Sequence, residues 1–297
     1  MIPDIDLGTP ASDTVDWLLV HWGAFFDAVG GVLDTVVSAI TDVLAMPSTV
    51  VLILALTVVP LLLRRWGVAV FALVAFTLIE AIGLWSETLE SLAVVLVATA
   101  AAAAIGVPLG ILAARHRAVS LAVRPVLDLM QTTPSFVYLI PAVFFFGIGV
   151  VPGVVATVVF ALAPAVRLTE LGIRQVDPEV VEAAHAFGSR PNQLLREVQL
   201  PLALPTIMAG INQVIMLALS MVVVAGLAGA GGLGSVVTSA VTQLDVGAGF
   251  QGGLAVVILA IYLDRVTGAL AAPRPSWRRR STVPQGSEEV EPVRQEA

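Results

Sequence analysis

LAVVLVATAAAAAIGVPLGILAA, residues 92–114, runs for 23 residues without a charge. A hydrocarbon layer about 30 Å thick is crossed by about 20 helical residues, so this stretch reads as a membrane span. Six further apolar runs lie around it, at 46–63, 67–85, 130–150, 153–171, 202–228 and 246–263. They are continuous rather than alternating, which excludes the ten-residue polar–apolar pattern of a membrane β-barrel. The expectation is an all-α polytopic membrane protein with seven spans. With 58% hydrophobic and 12% charged residues and a mean hydropathy of +0.95, the whole composition agrees.

All 15 basic residues are arginine. They fall at 64 and 65, at 115, 117 and 124, at 167, 174, 190 and 196, and at 265 and beyond, so they follow spans one, three, five and seven. The positive-inside rule then places the N-terminus outside and the C-terminus in the cytoplasm. The absence of lysine rules out a Walker A loop, and the net charge of −7 argues against a nucleic-acid partner. With no cysteine, disulfides and thiolate metal sites are excluded as well.

Residues 1–47 carry no arginine, so no secretory leader is expected there. Asp27, Asp34 and Asp42 recur on one helical face opposite Leu33, Val37 and Ile40. Residues 1–45 therefore read either as an acidic amphipathic helix at the outer membrane surface or as a loose acidic tail. Residues 46–85 supply two spans, 86–271 five more, and 272–297 a Pro-, Arg- and Glu-rich cytoplasmic tail expected to be disordered.

The longest cytoplasmic connection, 172–201, contains DPEVVEAAHAFGSRPNQLLREVQLP. Asp177 suits an N-cap, Pro178 a first helical position and Gly188 a left-handed stop. Ser189 is expected to cap a second short helix that ends before Pro201. Two exposed helices joined at a glycine make either a docking element or an amphipathic connector.

Glu182-Ala183-Ala184, three residues, Gly188, nine residues, then Val198-Gln199-Leu200-Pro201 resembles the EAA motif of permeases of ATP-binding cassette (ABC) importers. Valine stands at 198 where the motif usually has isoleucine. The stretches DLMQTTP from Asp128, FVYL from Phe136, PTIMAGINQ from Pro205 and LDR from Leu263 are similar to the glycine betaine/proline betaine uptake permeases, and the likeness covers roughly 84–267. It implies a type I importer permease fold, transport of glycine betaine or a related compatible solute by alternating access, and no bond chemistry on this chain. ATP and Mg²⁺ would sit on a separate ATPase, so no cofactor is expected here. Glu182, Ala183, Ala184, Phe187, Gly188, Val198, Leu200 and Pro201 would form the loop that couples to that ATPase. A permease homodimer is implied, as is a solute-binding protein on a separate chain, the tail being too short for a fused one. Choline, carnitine, ectoine or another amine or amino acid are alternative solutes. An ion-coupled carrier and a non-transporting scaffold are the rivals outside this class.

Polar Gln131, Thr132, Thr133, Asn212, Gln213 and Ser220, with Phe136 and Tyr138, are candidates for the translocation path, and core packing explains them equally well. Gly229-Ala230-Gly231-Gly232-Leu233-Gly234 satisfies G-x-G-x-x-G, but it follows a span rather than a strand, which excludes a dinucleotide fold. It reads as a flexible outer loop or, by the resemblance, as a turn near the external gate. Gly106 and Gly110 suit close helix packing, and Glu80 sits where its carboxyl can reach the membrane surface. The three histidines have no metal-ligand spacing.

Overall fold

A computed structural model describes residues 8–271; residues 1–7 and the tail from 272, with its expected disorder, lie outside the described part. Among the described residues the chain is helical, with no strand. The elements are α1 (Gly8–Ala45), α2 (Thr49–Leu62), α3 (Trp66–Ala81), α4 (Trp85–Arg115), α5 (Arg117–Thr132), a 3₁₀ turn (Ser135–Tyr138), α6 (Leu139–Phe146) and α7 (Val150–Arg174). They continue with α8 (Pro178–Ala186), the single turn α9 (Pro191–Gln193), a π-turn (Leu194–Gln199), α10 (Leu200–Gly226), α11 (Gly232–Gln243) and α12 (Val246–Ala271).

Small residues decide how the centre packs. A Cβ added to Gly106 would lie 2.5 Å from Cβ of Ala165, and one on Gly110 would lie 2.6 Å from both Cβ of Thr169 and the Val166 carbonyl. Those two glycines bring α4 against α7. On its other side α7 meets α10, where a Cβ on Gly210 would come within 2.9 Å of Leu168 and one on Gly172 within 2.9 Å of Thr206. Lipid tails are as apolar as the helices, so close van der Waals approach rather than water exclusion holds these pairs together. The core therefore centres on α7, lined by fully buried Ala161, Ala163 and Ala165.

The expected fourth span, 130–150, is not one helix. Helix α5 and the segment Ser135–Phe146 meet at an angle of 107°. Pro134 has no N–H to return to the Met130 carbonyl and its ring disfavours helix in the residue before it, so the chain breaks there. The freed Met130 carbonyl accepts the Tyr138 hydroxyl at 2.8 Å. The same arrangement recurs in α2. Pro60 leaves the Leu56 carbonyl without its helical donor, and the Tyr262 hydroxyl of α12 donates to it at 2.8 Å. These are the only two tyrosines in the chain.

Between residues 8 and 81 the helix lengths differ from the expected spans. The spans expected at 46–63 and 67–85 form helices of 14 and 16 residues, short for a full crossing, whereas the 38-residue α1 is long and apolar enough to cross by itself. Its contacts are with three helices of the core. Leu33, Val37, Ile40 and Leu44 pack on Ala93–Ala98 of α4 and on Val150, Val154 and Val158 of α7, while Phe26 stacks on Phe145 at 4.5 Å. From Leu33 to Leu44 is about 16 Å of helix laid on α4 and α7, and one end of α1 reaches α6 through Phe26. Asp27, Asp34 and Asp42 are exposed.

At its far end α12 continues past the expected stop at Asp264 and Arg265. The Asp264 carboxylate is taken up by the Asn212 amide at 2.9 Å, and the Thr267 hydroxyl is hydrogen-bonded to the Asn212 side-chain oxygen. A paired carboxylate does not have to end the helix.

Two outcomes follow from this packing. Gly110→Val forces atoms into the α7 backbone and is expected to cost about 1–3 kcal/mol or more, read as a lower unfolding midpoint in detergent; Gly23→Ala, with nothing within 4 Å of the added carbon, should be neutral or slightly stabilising. Tyr262→Phe should cost about 1–2 kcal/mol by stranding the Leu56 carbonyl. In Pro60→Ala, which restores the helical donor, the same Tyr262→Phe change should cost far less, a coupling that a double-mutant cycle measures.

Candidate coupling surface and transport core

Three arginines meet at one end of the bundle. Arg115 at the end of α4 donates to the Asn192 side chain at 3.1 Å, Arg174 at the end of α7 donates to the Ala113 carbonyl at 2.8 Å, and Arg124 of α5 pairs with Glu170 of α7 at 3.2 Å. The connection 175–199 leaves from this same end.

Its first half folds as the punctuation dictates. The Asp177 carboxylate accepts the Glu179 N–H at 2.9 Å, Pro178 opens α8, and Gly188 takes φ +81°. The Ser189 N–H then returns to the Ala184 carbonyl at 3.1 Å. Helix α8 packs on the π-turn 194–199, where Leu194 and Leu195 are buried. Val181 and Ala184 are half-buried, whereas Glu182, Ala183, His185 and Ala186 are exposed. Phe187 is 91% exposed. The exposed face of α8 thus carries a charge and small residues, with an aromatic ring at its end.

The second half differs from expectation. Arg190 rather than Ser189 holds the N-cap position, its N–H donating to the Gln193 side-chain oxygen at 3.0 Å. Pro191 occupies the first helical position, and the residue before it must then be the cap. Nor does a helix end before Pro201: the chain runs through the π-turn straight into α10. Pro201 has no N–H for the Glu197 carbonyl, and a wider turn absorbs the defect. Val198 and Leu200 are half-buried in this continuous rod and Pro201 is exposed.

At the opposite end, the glycine-rich turn caps a helix. The Gly232 N–H donates to the Glu90 carboxylate at 2.7 Å and the Leu233 N–H to the Ser91 hydroxyl at 2.8 Å. These are first-turn amides of α11, which has no cap side chain of its own. Gly229, Gly231 and Gly232 have φ between +60° and +79°, and a Cβ on Gly234 would lie 2.0 Å from the Val222 carbonyl. The turn is thus a tightly packed junction, and its amides are already taken by α4.

The residues expected along the path are distributed between the break and α10. Gln131, Thr132 and Phe136 are exposed and Thr133 half-buried around the break; just beyond it Leu139 and Ala142 of α6 cluster with Met221 of α10 and Ala228 past its end. Gln213 and Ser220 are exposed on α10 itself. Two candidates have other engagements: the Tyr138 hydroxyl satisfies Met130, and Asn212 ties α10 to α12. Glu80 is exposed near the end of α3. Sequence reasoning missed Glu170, which is buried between Ser120, Arg124 and Arg174, and Glu90 with its hold on α11. The signal for Glu170 was present as an acid at the end of an apolar span with arginines three residues before and four after. Among the described residues no group of acids and histidines has the geometry of a metal site.

A long-helix bundle with an exposed two-helix loop at its arginine-bearing end is the architecture of a multi-pass membrane permease. The fold matches the permease of the inward-facing MetNI methionine ABC transporter, with a TM-score of 0.56, 23% identity, and coverage of 65% of this chain and 94% of that one. Residues 106–273 match the family model described as binding-protein-dependent transport system inner membrane component, and the chain belongs to that family. It is 48% identical to the glycine betaine transport system permease protein OpuAB of Bacillus subtilis, over 93% of this chain and 98% of that protein. It is 46% identical to the glycine betaine/proline betaine transport system permease protein ProW of Escherichia coli, over 90% and 75% of the two chains. The chain is therefore a cell-membrane permease subunit of an ABC importer, not an enzyme; ATP hydrolysis belongs to a separate ATPase, and a solute-binding protein delivers the cargo in this family.

Gly234→Ala is expected to block assembly of the α10–α11 junction, because the obstructing atom is backbone and cannot rotate away. Full-length protein that elutes as a monodisperse species with native thermal stability would contradict that packing.

Proposed function

We propose that this permease carries glycine betaine or a closely related methylated amine inward, and that the exposed α8 loop is where its ATPase pushes. The substrate reading rests on one observation, the 48% identity to OpuAB across nearly the whole of both chains. The coupling reading rests on the geometry of α8: Glu182, Ala183 and Phe187 face outward on a helix joined through Gln175 and Val176 to α7, the packing centre of the bundle. Glu182, Ala183, Ala184, Phe187 and Gly188 then form the contact, while Val198, Leu200 and Pro201 carry it into α10.

Closure of two ATPase subunits draws two such loops together, which requires two copies of this chain, and the helices rock to open the path outward. Solute released by the binding protein enters, and reopening of the ATPases returns the path to the cytoplasm. In this arrangement the arginine-bearing end is cytoplasmic and the Glu90–α11 junction extracytoplasmic. Gln131, Thr132, Thr133, Phe136, Gln213 and Ser220 supply polar and aromatic surface to the path, with the selective cage on the binding protein.

The test is ATP-dependent uptake of radiolabelled glycine betaine into proteoliposomes holding the chain with its ATPase and binding protein. Native protein is expected to accumulate solute in a vanadate-sensitive manner. Glu182→Arg with Gly188→Trp should reduce uptake by at least about tenfold, equivalent to about 1.4 kcal/mol, with the permease still folded. Undiminished uptake in the double variant would remove the coupling role from α8. Choline or carnitine uptake in place of glycine betaine would keep the importer and change its cargo.

A further inference from the structure

We infer that Glu170 is a positioning residue for transport: it locks α5 to α7, so that a displacement of α8 reaches the break at Thr133–Pro134. The inference rests on the coupling role proposed above for α8.

Glu170 is 6% exposed and is the only charged residue buried among the described ones. One carboxylate oxygen, Oε1, accepts the Ser120 hydroxyl at 2.7 Å and lies 3.2 Å from Arg124 and 3.1 Å from Arg174. Arg174 in turn donates to the Ala113 carbonyl at 2.8 Å, one of the last-turn acceptors that α4 leaves without an internal donor. A single acid thus holds the arginine-bearing ends of α4, α5 and α7. One turn further along, Arg167 of α7 pairs with Asp128 of α5. Two rungs therefore join α5 and α7.

The register of those rungs gives them mechanical meaning. Asp177, the cap of α8, follows Glu170 by seven residues, about two helical turns. Thr132, where α5 ends, follows Arg124 by eight. The helix that bears the docking loop and the helix that bears the break are thus joined close to both features. Elsewhere α5 and α7 meet through apolar side chains, Val123 and Leu127 against Ala163 and Val166, contacts that carry no direction of their own. Hydrogen bonds to a buried carboxylate do, because slipping by one turn leaves Arg124 and Ser120 without their acceptor. A charge in this position is costly unless it is paired, and an apolar residue would fill the same volume. Holding register is what the charge adds.

The chain has no cysteine, so spin labels can be placed at Leu121→Cys on α5 and Glu179→Cys on α8, both at exposed positions. Labelled chain is diluted into unlabelled chain and assembled with the ATPase and binding protein. In the otherwise native chain the α5–α8 distance should be the same in nucleotide-free and vanadate-trapped complexes. In Glu170→Gln it should shift and broaden on trapping. Uptake should fall about tenfold while ATP hydrolysis stays within about twofold, a split that a brace for folding alone does not produce. Ser120→Ala, which removes one hydrogen bond and no charge, should show the same split more weakly and serves if Glu170→Gln misfolds. A native α5–α8 distance that changes on trapping overturns the inference, and so does parallel loss of uptake and hydrolysis in a folded complex. Failure of the docking reading has its own signature: Phe187→Cys forms no cross-link to the ATPase although the α5–α8 distance stays fixed.

Discussion

A backbone carbonyl in hydrocarbon must find a donor within the protein, and this chain places prolines where that requirement bites. Pro134 and Pro60 each free a carbonyl four residues back, and each is answered by a tyrosine hydroxyl, Tyr138 for Met130 and Tyr262 for Leu56. The first answer makes the bend between α5 and α6 tolerable. The second fastens the α2–α3 hairpin to α12, so that residues lying before the family-matched region join the same core. Unpaired, either carbonyl would favour a different local path for the chain.

The two ends of the bundle are built by different chemistry. At the arginine-bearing end, Glu170, Arg124, Arg174 and the Ala113 carbonyl connect three helices through charge and hydrogen bonds. At the other end, glycines let α10 and α11 touch backbone to backbone, and Glu90 and Ser91 cap α11 from α4. Between them α7 is packed through small residues. A bundle that is closely packed in the middle and polar at both ends suits a part that must rock without losing its internal arrangement. The α8 loop follows directly from that central helix, and this continuity gives its exposed Phe187 and Glu182 leverage over the rest.

Much of this was readable along the chain because it depends on near neighbours. Spans follow from 20-residue apolar runs, Asp177, Pro178 and Gly188 delimit α8 by local backbone preference, and the Gly106–Gly110 spacing puts both glycines on one helical face. Errors arose where a distant group changed a local rule. Asp264 looked like a helix stop until Asn212 paired with it. The run 130–150 is a local case instead: its hydropathy outweighs Pro134, and Tyr138, eight residues past Met130, relieves the break. The amphipathic pattern in 1–45 does not state what α1 packs on, and contacts with α4, α6 and α7 decide that.

The sequence by itself determined that this is an all-helical membrane protein, and its EAA spacing carried the resemblance to importer permeases, because hydropathy, capping and motif spacing are properties of residues within a few turns of one another. Only the tertiary structure decided which acid is buried and which carbonyl Tyr262 satisfies. Those depend on pairs separated by 46 positions, as for Arg124 and Glu170, or by 206, as for Leu56 and Tyr262. No local pattern encodes a partner that far away; the packing of α7 between α4 and α10 brings the first pair together, and the packing of α12 against the α2–α3 hairpin brings the second.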